Sequence, residues 1–132
     1  MITTTLQPRF SDTDALGHIS NTSFSVWFEE ARTELFKIFH PSLDVKTWPL
    51  IIARTEIDFV AQTYWGRDVM IKTWLDKVGN SSCHIVHEAW QGDTLVAKGT
   101  AVMIHFDYTT NTSKPIPDNI RAQLLSHLVV AD

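Results

Sequence analysis

The sequence predicts an α+β fold: a single domain in which a long central helix is wrapped by a curved antiparallel sheet. An amphipathic segment of helical period ends near Phe39, and at least four segments of alternating apolar and polar residues follow it through hairpin turns. No second long helical segment separates these strands, so a parallel doubly wound sheet is disfavoured. An antiparallel sheet beside one helix must cover that helix to bury its apolar face.

The length, net charge and cysteine content limit the functions that the chain can have. At 132 residues it is expected to form one domain, residues 1–132. A net charge of −4 and a pI near 5.8 provide no basic field, so nucleic acid and membrane are not expected partners. Cys83 is the only cysteine, which excludes an internal disulfide, and no signal peptide is recognisable. The cytoplasm is therefore the expected compartment.

The chain is predicted to open with a strand from Thr3 to Phe10, at a sheet edge because Pro8 cannot donate a ladder hydrogen bond. A polar turn follows, made of residue types whose side chains bond nearby backbone amides: Ser11, Asp12, Thr13 and Asp14.

A helix is predicted to start in the run of N-cap residues from Ser20 to Ser23 and to end at Phe39 or His40, before Pro41. Its apolar residues recur at three- and four-residue intervals and share one face. They are Phe24, Trp27, Phe28, Ala31, Leu35 and Ile38.

Four strands are predicted after the connector that contains Trp48, with turns at Tyr64 to Arg67, Gly79-Asn80 and Gly92-Asp93. They span Leu50 to Thr63, Asp68 to Lys77, Ser81 to Gln91 and Thr94 to Asp107. A short surface helix is predicted from Asp118, its cap, to Val130.

A turn that contains carboxylates directly before a helix can form a catalytic arrangement. The first amides of a helix are unpaired and partly positive, so they can stabilise an oxyanion. Asp14 lies seven residues before Asn21, far enough for the loop to return its carboxylate to those amides. One group could attack while the other polarises the carbonyl, although both Asp12 and Asp14 could equally be turn formers.

A wider pattern resembles the signature of the 4-hydroxybenzoyl-CoA thioesterase family of hotdog-fold acyl-CoA thioesterases. The order and spacing that carry the resemblance are those of Arg9, Asp12, Thr13, Asp14, Gly17, His18, Asn21, Phe28, Glu30, Ala31 and Arg32. The similarity extends to about Pro117. Ser20 departs from the pattern, since many relatives have a second asparagine there.

The resemblance implies that the chain hydrolyses an acyl-CoA to a free acid and CoA without a cofactor. Asp14 would be the catalytic carboxylate, as nucleophile or as general base, and the backbone amide of Asn21 would polarise the thioester carbonyl. His18 would donate to the substrate or orient Asp14, or it is only a loop residue. The partners implied are an acyl-CoA substrate and a second copy of the chain, in a homodimer or homotetramer.

Other readings are open or disfavoured. Glu29, inside the helix, is the alternative catalytic carboxylate. His84 and His87 point to opposite faces of a strand and cannot share a metal ion, and Cys83 is expected to be a buried apolar residue. A hotdog dehydratase would need a histidine motif that the chain lacks, whereas a non-catalytic acyl-CoA binding protein stays open.

Overall fold

The computed structural model describes residues 1–129. Its strands are β1 (Ile2–Leu6), β2 (Leu50–Phe59), β3 (Val69–Val78), β4 (Ser82–Gln91), β5 (Thr94–Asp107) and β6 (Thr112–Ser113). Its helices are α1 (Thr22–Ala31), α2 (Thr33–Phe39) and α3 (Asp118–Leu125). The sheet is antiparallel, with the order β1-β3-β4-β5-β2, and β6 pairs with β5.

The helix predicted to lie against the sheet does so through its aromatic face. Phe24, Trp27 and Phe28 of α1 are buried in one cluster with residues of β3, β4 and β5. Gly99 of β5 allows this close approach, because a Cβ there would lie 2.7 Å from Cε2 of Phe28. Register shifts interrupt three strand pairs, and such bulges bend a sheet. The predicted hotdog arrangement, a helix wrapped by a curved antiparallel sheet, is confirmed.

The prediction of one uninterrupted helix was wrong. The helix breaks at Arg32, which separates α1 from α2 and has φ −84° and ψ −4°. Arg32 is only 4% exposed, so its long side chain occupies the interior at the break. The apolar period runs on through Leu35 and Phe39, which are also buried, and period alone therefore gave no sign of the interruption.

Two strand ends also differ from the predictions. β1 ends at Leu6, so Pro8 lies outside the strand, and Phe10–Asp12 forms a turn of 3-10 helix instead. β2 ends at Phe59 and is the second edge of the sheet, more exposed than its alternating pattern indicates.

The C-terminal helix departs from its prediction in two ways. It begins at Asp118 with Pro117 as its N-cap and ends at Leu125. Leu124 is fully buried, so α3 belongs to the core and does not merely cover the surface. Leu128 lies beyond the helix, in a bridge to Leu75, and the predicted helix end at Val130 lies outside the described residues.

Candidate active site

Asp12 fastens the polar turn to the start of α1. Its carboxylate is 4% exposed and accepts hydrogen bonds from the Arg9 amide at 2.7 Å and from Ser23 Oγ at 2.9 Å. Its carbonyl accepts from the Ser20 amide at 2.7 Å. Burial alone raises the pKa of Asp12, but the hydrogen bonds from Arg9 and Ser23 outweigh it and hold that pKa below its ordinary value. Asp12 thus has the turn-shaping role expected of it.

Asp14 is exposed and lies in the tight loop that follows. Its Oδ1 accepts from the amides of Leu16 at 2.8 Å and His18 at 3.2 Å. A bridge between Thr13 and Ile19 closes the loop. No hydrogen bond within residues 1–129 involves the other oxygen, Oδ2, which leaves it available to a substrate or a water molecule.

His18 orients Asp14 through its backbone. Its amide donates to Oδ1 of Asp14, and its carbonyl accepts from the amide of Asp14 at 2.8 Å. The imidazole ring instead packs edge-on against Tyr64, with ring centroids 5.5 Å apart. The hydrogen bonds between His18 and Asp14 thus come from the main chain of His18, as expected of a loop residue.

Asn21 precedes α1 and contributes a backbone donor. Its φ of −56° and ψ of −30° are already helical, and no acceptor within the described residues takes its N–H. Asn21 is the N-cap and makes no side-chain capping bond, and the neighbouring Ser20 bonds the first residue of α1: its Oγ accepts from the amide of Thr22 at 3.4 Å and lies 2.9 Å from Thr22 Oγ1. The serine that departs from the resembled pattern is therefore compatible with a free amide at Asn21.

These contacts put an exposed carboxylate and a backbone N–H that has no acceptor within residues 1–129 on one short segment. Asp12 holds both ends of the segment, because it bonds Arg9 on one side and Ser20 and Ser23 on the other. Between them, Asp14 presents a free carboxylate oxygen and Asn21 presents a free N–H at the positive end of α1. Such a pair can attack a carbonyl and stabilise the charge that develops on its oxygen.

A second polar group, which the sequence analysis missed, lies inside the domain. Nη1 of Arg32 is 3.4 Å from Nε2 of His87, and Nδ1 of His87 is 2.9 Å from Oγ1 of Thr73. Because arginine only donates, Nε2 is the acceptor, and the ring proton on Nδ1 is donated to Thr73. The His87 ring stacks on Phe28 with centroids 4.8 Å apart. The sequence feature that indicates this buried polar group is the position of Arg32 on the apolar helix face, four residues after Phe28.

His87 should make the fold sensitive to acid. Burial and the charge of Arg32 lower the pKa of His87 to about 3 from 6.5, so the folded state resists a proton that the unfolded chain accepts. The free energy of unfolding should fall as the pH drops from 6.5 towards 3, by up to about 1.4 kcal/mol per unit. Urea unfolding at pH 7.5 and pH 5 measures this loss.

The matched control for this prediction is His87→Gln, which keeps a polar side chain at the site but does not titrate. Its stability should change less between the two pH values than that of the original chain. Equal losses for both proteins would show that His87 is not the group responsible.

The other sites considered in the sequence have no support in the described residues. Within residues 1–129 no cluster of three or more histidine, cysteine, aspartate or glutamate side chains could hold a metal ion. Cys83 is fully buried, which raises the pKa of its thiol to about 12 and disfavours the thiolate that a nucleophile needs. None of the helices in the described part of the chain is long and apolar enough to cross a membrane.

A wide surface groove does not contain the candidate catalytic residues. Its volume is about 710 Å³, and it lies between the connector before β2 and the end of β5. Trp48 and Tyr108 line it together with Lys46 and Lys114. Trp48 also packs edge-on against Phe36, so it serves both as a core anchor and as a groove wall.

Comparison with known proteins places the chain in a family. A sequence model described as the thioesterase-like superfamily matches residues 8–124. The structure is similar to that of a predicted thioesterase from Bacillus stearothermophilus, with 43% identity, a TM-score of 0.96 and coverage of 99% of this chain and 98% of that one. It also resembles a thioesterase from Thermus thermophilus complexed with coenzyme A and zinc, with 26% identity, a TM-score of 0.84 and coverage of 93% and 96%.

A relative in sequence is uncharacterized protein YsmA of Bacillus subtilis (strain 168), 27% identical over 119 residues, or 89% of this chain and 80% of that protein. The family match covers the polar turn, the helices and the main strands β2 to β5, and it does not single out the 4-hydroxybenzoyl-CoA branch. The chain belongs to the thioesterase-like superfamily.

Proposed function

We propose that the protein hydrolyses an acyl-CoA thioester to a free acid and CoA. Asp14 supplies the carboxylate, and the N–H of Asn21 polarises the thioester carbonyl. In one route, Oδ2 of Asp14 attacks the carbonyl carbon, and the C–S bond breaks as the CoA thiolate leaves and is protonated. Water then hydrolyses the mixed anhydride, which releases the free acid and restores the Asp14 carboxylate. In the other, Asp14 takes a proton from water, the resulting hydroxide adds to the carbonyl, and the CoA thiolate leaves and is protonated.

The observation that carries this proposal is the amide of Asn21, which has no acceptor in the described part of the chain and lies at the end of a loop that also holds an exposed carboxylate. Water could satisfy both groups, but the rest of the loop is closely bonded: Asp12, Asp14 and Ser20 all have several internal partners. A loop braced to this degree that leaves one donor and one acceptor oxygen free is preorganised for a ligand.

One related structure supports coenzyme A as the thiol. The Thermus thermophilus thioesterase, which is 26% identical to this chain, is a coenzyme A complex. A non-catalytic acyl-CoA binding protein remains the rival from another class. A dehydratase is less well supported, because the imidazole of His18 faces Tyr64 and that of His87 contacts Arg32 and Thr73, so neither imidazole has a carboxylate partner within residues 1–129.

Release of free CoA separates these functions. The purified protein is mixed with a panel of acyl-CoAs and a thiol reagent, and the absorbance of the thiol adduct is followed. A hydrolase produces thiol continuously, whereas a binding protein or a dehydratase produces none. If no member of a panel covering short, medium, long and aromatic acyl groups released CoA, the proposed hydrolysis would be wrong.

We also expect the working unit to be at least a dimer. β2 is an edge strand of ten residues, and nothing in residues 1–129 pairs with its outer side. Its apolar residues Ile51 and Phe59 are 36% and 47% exposed, an edge that a second copy could cover by strand pairing. Sedimentation at micromolar concentration should give a dimer or tetramer. A fully active monomer would contradict this.

A further inference from the structure

Two neighbouring aromatic residues of one turn contact the loop that carries Asp14. Tyr64 packs edge-on against His18, with ring centroids 5.5 Å apart, and Trp65 packs edge-on against Phe10, with centroids 5.8 Å apart. Asp14 lies midway between the two contacts, four residues after Phe10 and four before His18. The aromatic turn therefore contacts the Asp14 loop at both of its ends.

Hydrogen bonds within the loop keep both ring pairs close to Asp14. The carbonyl of Phe10 accepts from the hydroxyl of Thr13 at 2.7 Å and from its amide at 3.1 Å, and Thr13 directly precedes Asp14. On the other side, the amide of His18 donates to Oδ1 of Asp14. Since consecutive Cα atoms are about 3.8 Å apart, Phe10 and Asp14 are within roughly 10 Å of each other.

The turn that carries the two aromatic residues is held from inside the domain. Gln91 is buried, and its Oε1 accepts from the amide of Tyr64 at 3.0 Å. Its Nε2 donates to the carbonyl of Tyr64 at 2.8 Å and to that of Arg67 at 3.2 Å. Just before the turn, the carbonyl of Thr63 accepts from the amide of Ile19 at 2.9 Å. These bonds fix the turn relative to the loop, so the aromatic rings form a preorganised surface.

The outer part of this surface is apolar and exposed. Phe10 is 76% exposed and Trp65 is 53% exposed, although their rings contact each other. Leu16, whose amide donates to Asp14, is exposed as well. A ligand that covers these side chains gains the free energy of burying apolar surface, and contiguous exposed apolar patches often mark binding sites. The surface beside Asp14 is therefore suited to an apolar group.

The acyl group of a thioester fits this surface better than the pantetheine arm of CoA or a second copy of the chain. Pantetheine contains amides that need hydrogen-bond partners, whereas the side chains of Phe10 and Leu16 offer none. A second copy seated on the rings would also cover Asp14, which the substrate must reach. Together with Trp65 these side chains present roughly 400 Å², about half of what each partner of a typical stable interface buries.

We propose that Phe10 and Trp65 determine specificity by packing against the acyl group, so that medium-chain thioesters are hydrolysed faster than short-chain ones. This inference rests on the proposed thioester hydrolysis, with Asp14 as the carboxylate that meets the carbonyl. An extended chain of about eight carbons reaches roughly 9 Å from the carbonyl, comparable to the separation of Asp14 and Phe10, whereas a chain of about four carbons reaches less than half as far. Only the longer chain covers the rings.

The test compares octanoyl-CoA with butanoyl-CoA. The specificity constant kcat/KM should be at least about tenfold higher for octanoyl-CoA, because each methylene group that packs on an apolar wall stabilises the bound state. Trp65→Ser should lower this ratio at least about fivefold, Phe10→Ser should act in the same direction, and Trp65→Phe, which keeps a ring, should retain most of the ratio.

The matched control is Val45→Ser. Val45 is also an exposed apolar residue, but it lines the separate groove before β2, so its substitution should leave the ratio unchanged. Equal constants for the two thioesters in the original chain, or an unchanged ratio in Trp65→Ser, would overturn the proposal. If Trp65→Ser instead converted a dimer to a monomer in sedimentation, the rings would belong to an interface between copies, and the proposal would be wrong.

Thioether analogues separate this proposal from the proposed hydrolysis. S-octyl-CoA and S-butyl-CoA have no carbonyl to attack, so titration calorimetry measures their binding without turnover. S-octyl-CoA should bind at least about tenfold more tightly, and Trp65→Ser should reduce the difference. A chain that released no CoA but bound S-octyl-CoA selectively through Trp65 would refute the proposed function alone, whereas a hydrolase that did not distinguish the chain lengths would refute the role of Phe10 and Trp65 alone.

Discussion

Asp14→Asn should lower kcat by at least about a hundredfold while KM changes little, because the substitution removes a nucleophile or an essential base and little else. Oδ1 of Asp14 accepts from the amides of Leu16 and His18, and the amide oxygen of an asparagine can accept the same two bonds. The loop should therefore keep its shape. Thiol release measures the activity, and an unchanged Tm shows that the variant is folded.

Two further variants decide whether the loss belongs to Asp14 itself. Asp12→Asn should mainly lower the Tm, because an asparagine at this buried position replaces an oxygen that accepts from the Arg9 amide or from Ser23 with an NH₂ group. Glu29→Gln removes the alternative catalytic carboxylate. If Asp14→Asn retained near-normal turnover in a folded protein and Glu29→Gln abolished it, the helix carboxylate would take the place of Asp14.

The two aspartates of the turn show how far sequence could separate function from structure. Asp12 and Asp14 are the same residue type two positions apart, and turn chemistry predicts both equally well. Their difference comes from the tertiary structure: Ser23, eleven residues away, bonds the carboxylate of Asp12, whereas both partners of Asp14 lie within four residues and leave one of its oxygens free. The local sequence pattern predicted the turn, but only the burial of the two side chains in the structure distinguishes the role of Asp12 from that of Asp14.

The strands were predictable for a similar reason. Alternation and glycine turns are local signals, and they located β3, β4 and β5 to within one residue at each end. What alternation could not show was which strand lies at the edge, since β2 alternates as regularly as β3 and yet has a neighbour on one side only. Strand order depends on contacts between distant segments, and the local alternation of residues contains no information about which segments pair.

The buried contact between Arg32 and His87 marks the limit of sequence reasoning for the site. The two residues are 55 positions apart, and each alone has an ordinary interpretation: arginine as a charge on a helix and histidine as a strand residue. An arginine on the apolar helix face between Phe28 and Leu35 indicates that the interior of the domain beside the helix contains another polar side chain. Identification of its partner required the register that turns His87 inward beside Thr73.

Asn21→Pro should lower kcat by about a hundredfold to a thousandfold, the usual effect of removing one oxyanion donor. Proline has no N–H, so it deletes the single atom to which the polarising role is assigned. The φ of Asn21 is −56°, within the range that the proline ring imposes, and proline is well tolerated in the first turn of a helix. Ser20, the residue before the new proline, lies outside α1, so the substitution does not put a helical residue of α1 directly before a proline.

The matched control for the amide is Asn21→Ala, which keeps the N–H and loses only a side chain that is exposed and makes no capping bond. This variant should retain most of the turnover, which would assign the effect of the proline to the backbone. Thermal melting of both proteins checks that α1 still forms. Comparable turnover in a folded Asn21→Pro protein would mean that another donor stabilises the oxyanion, and a large loss in Asn21→Ala would transfer the role from the amide to the side chain.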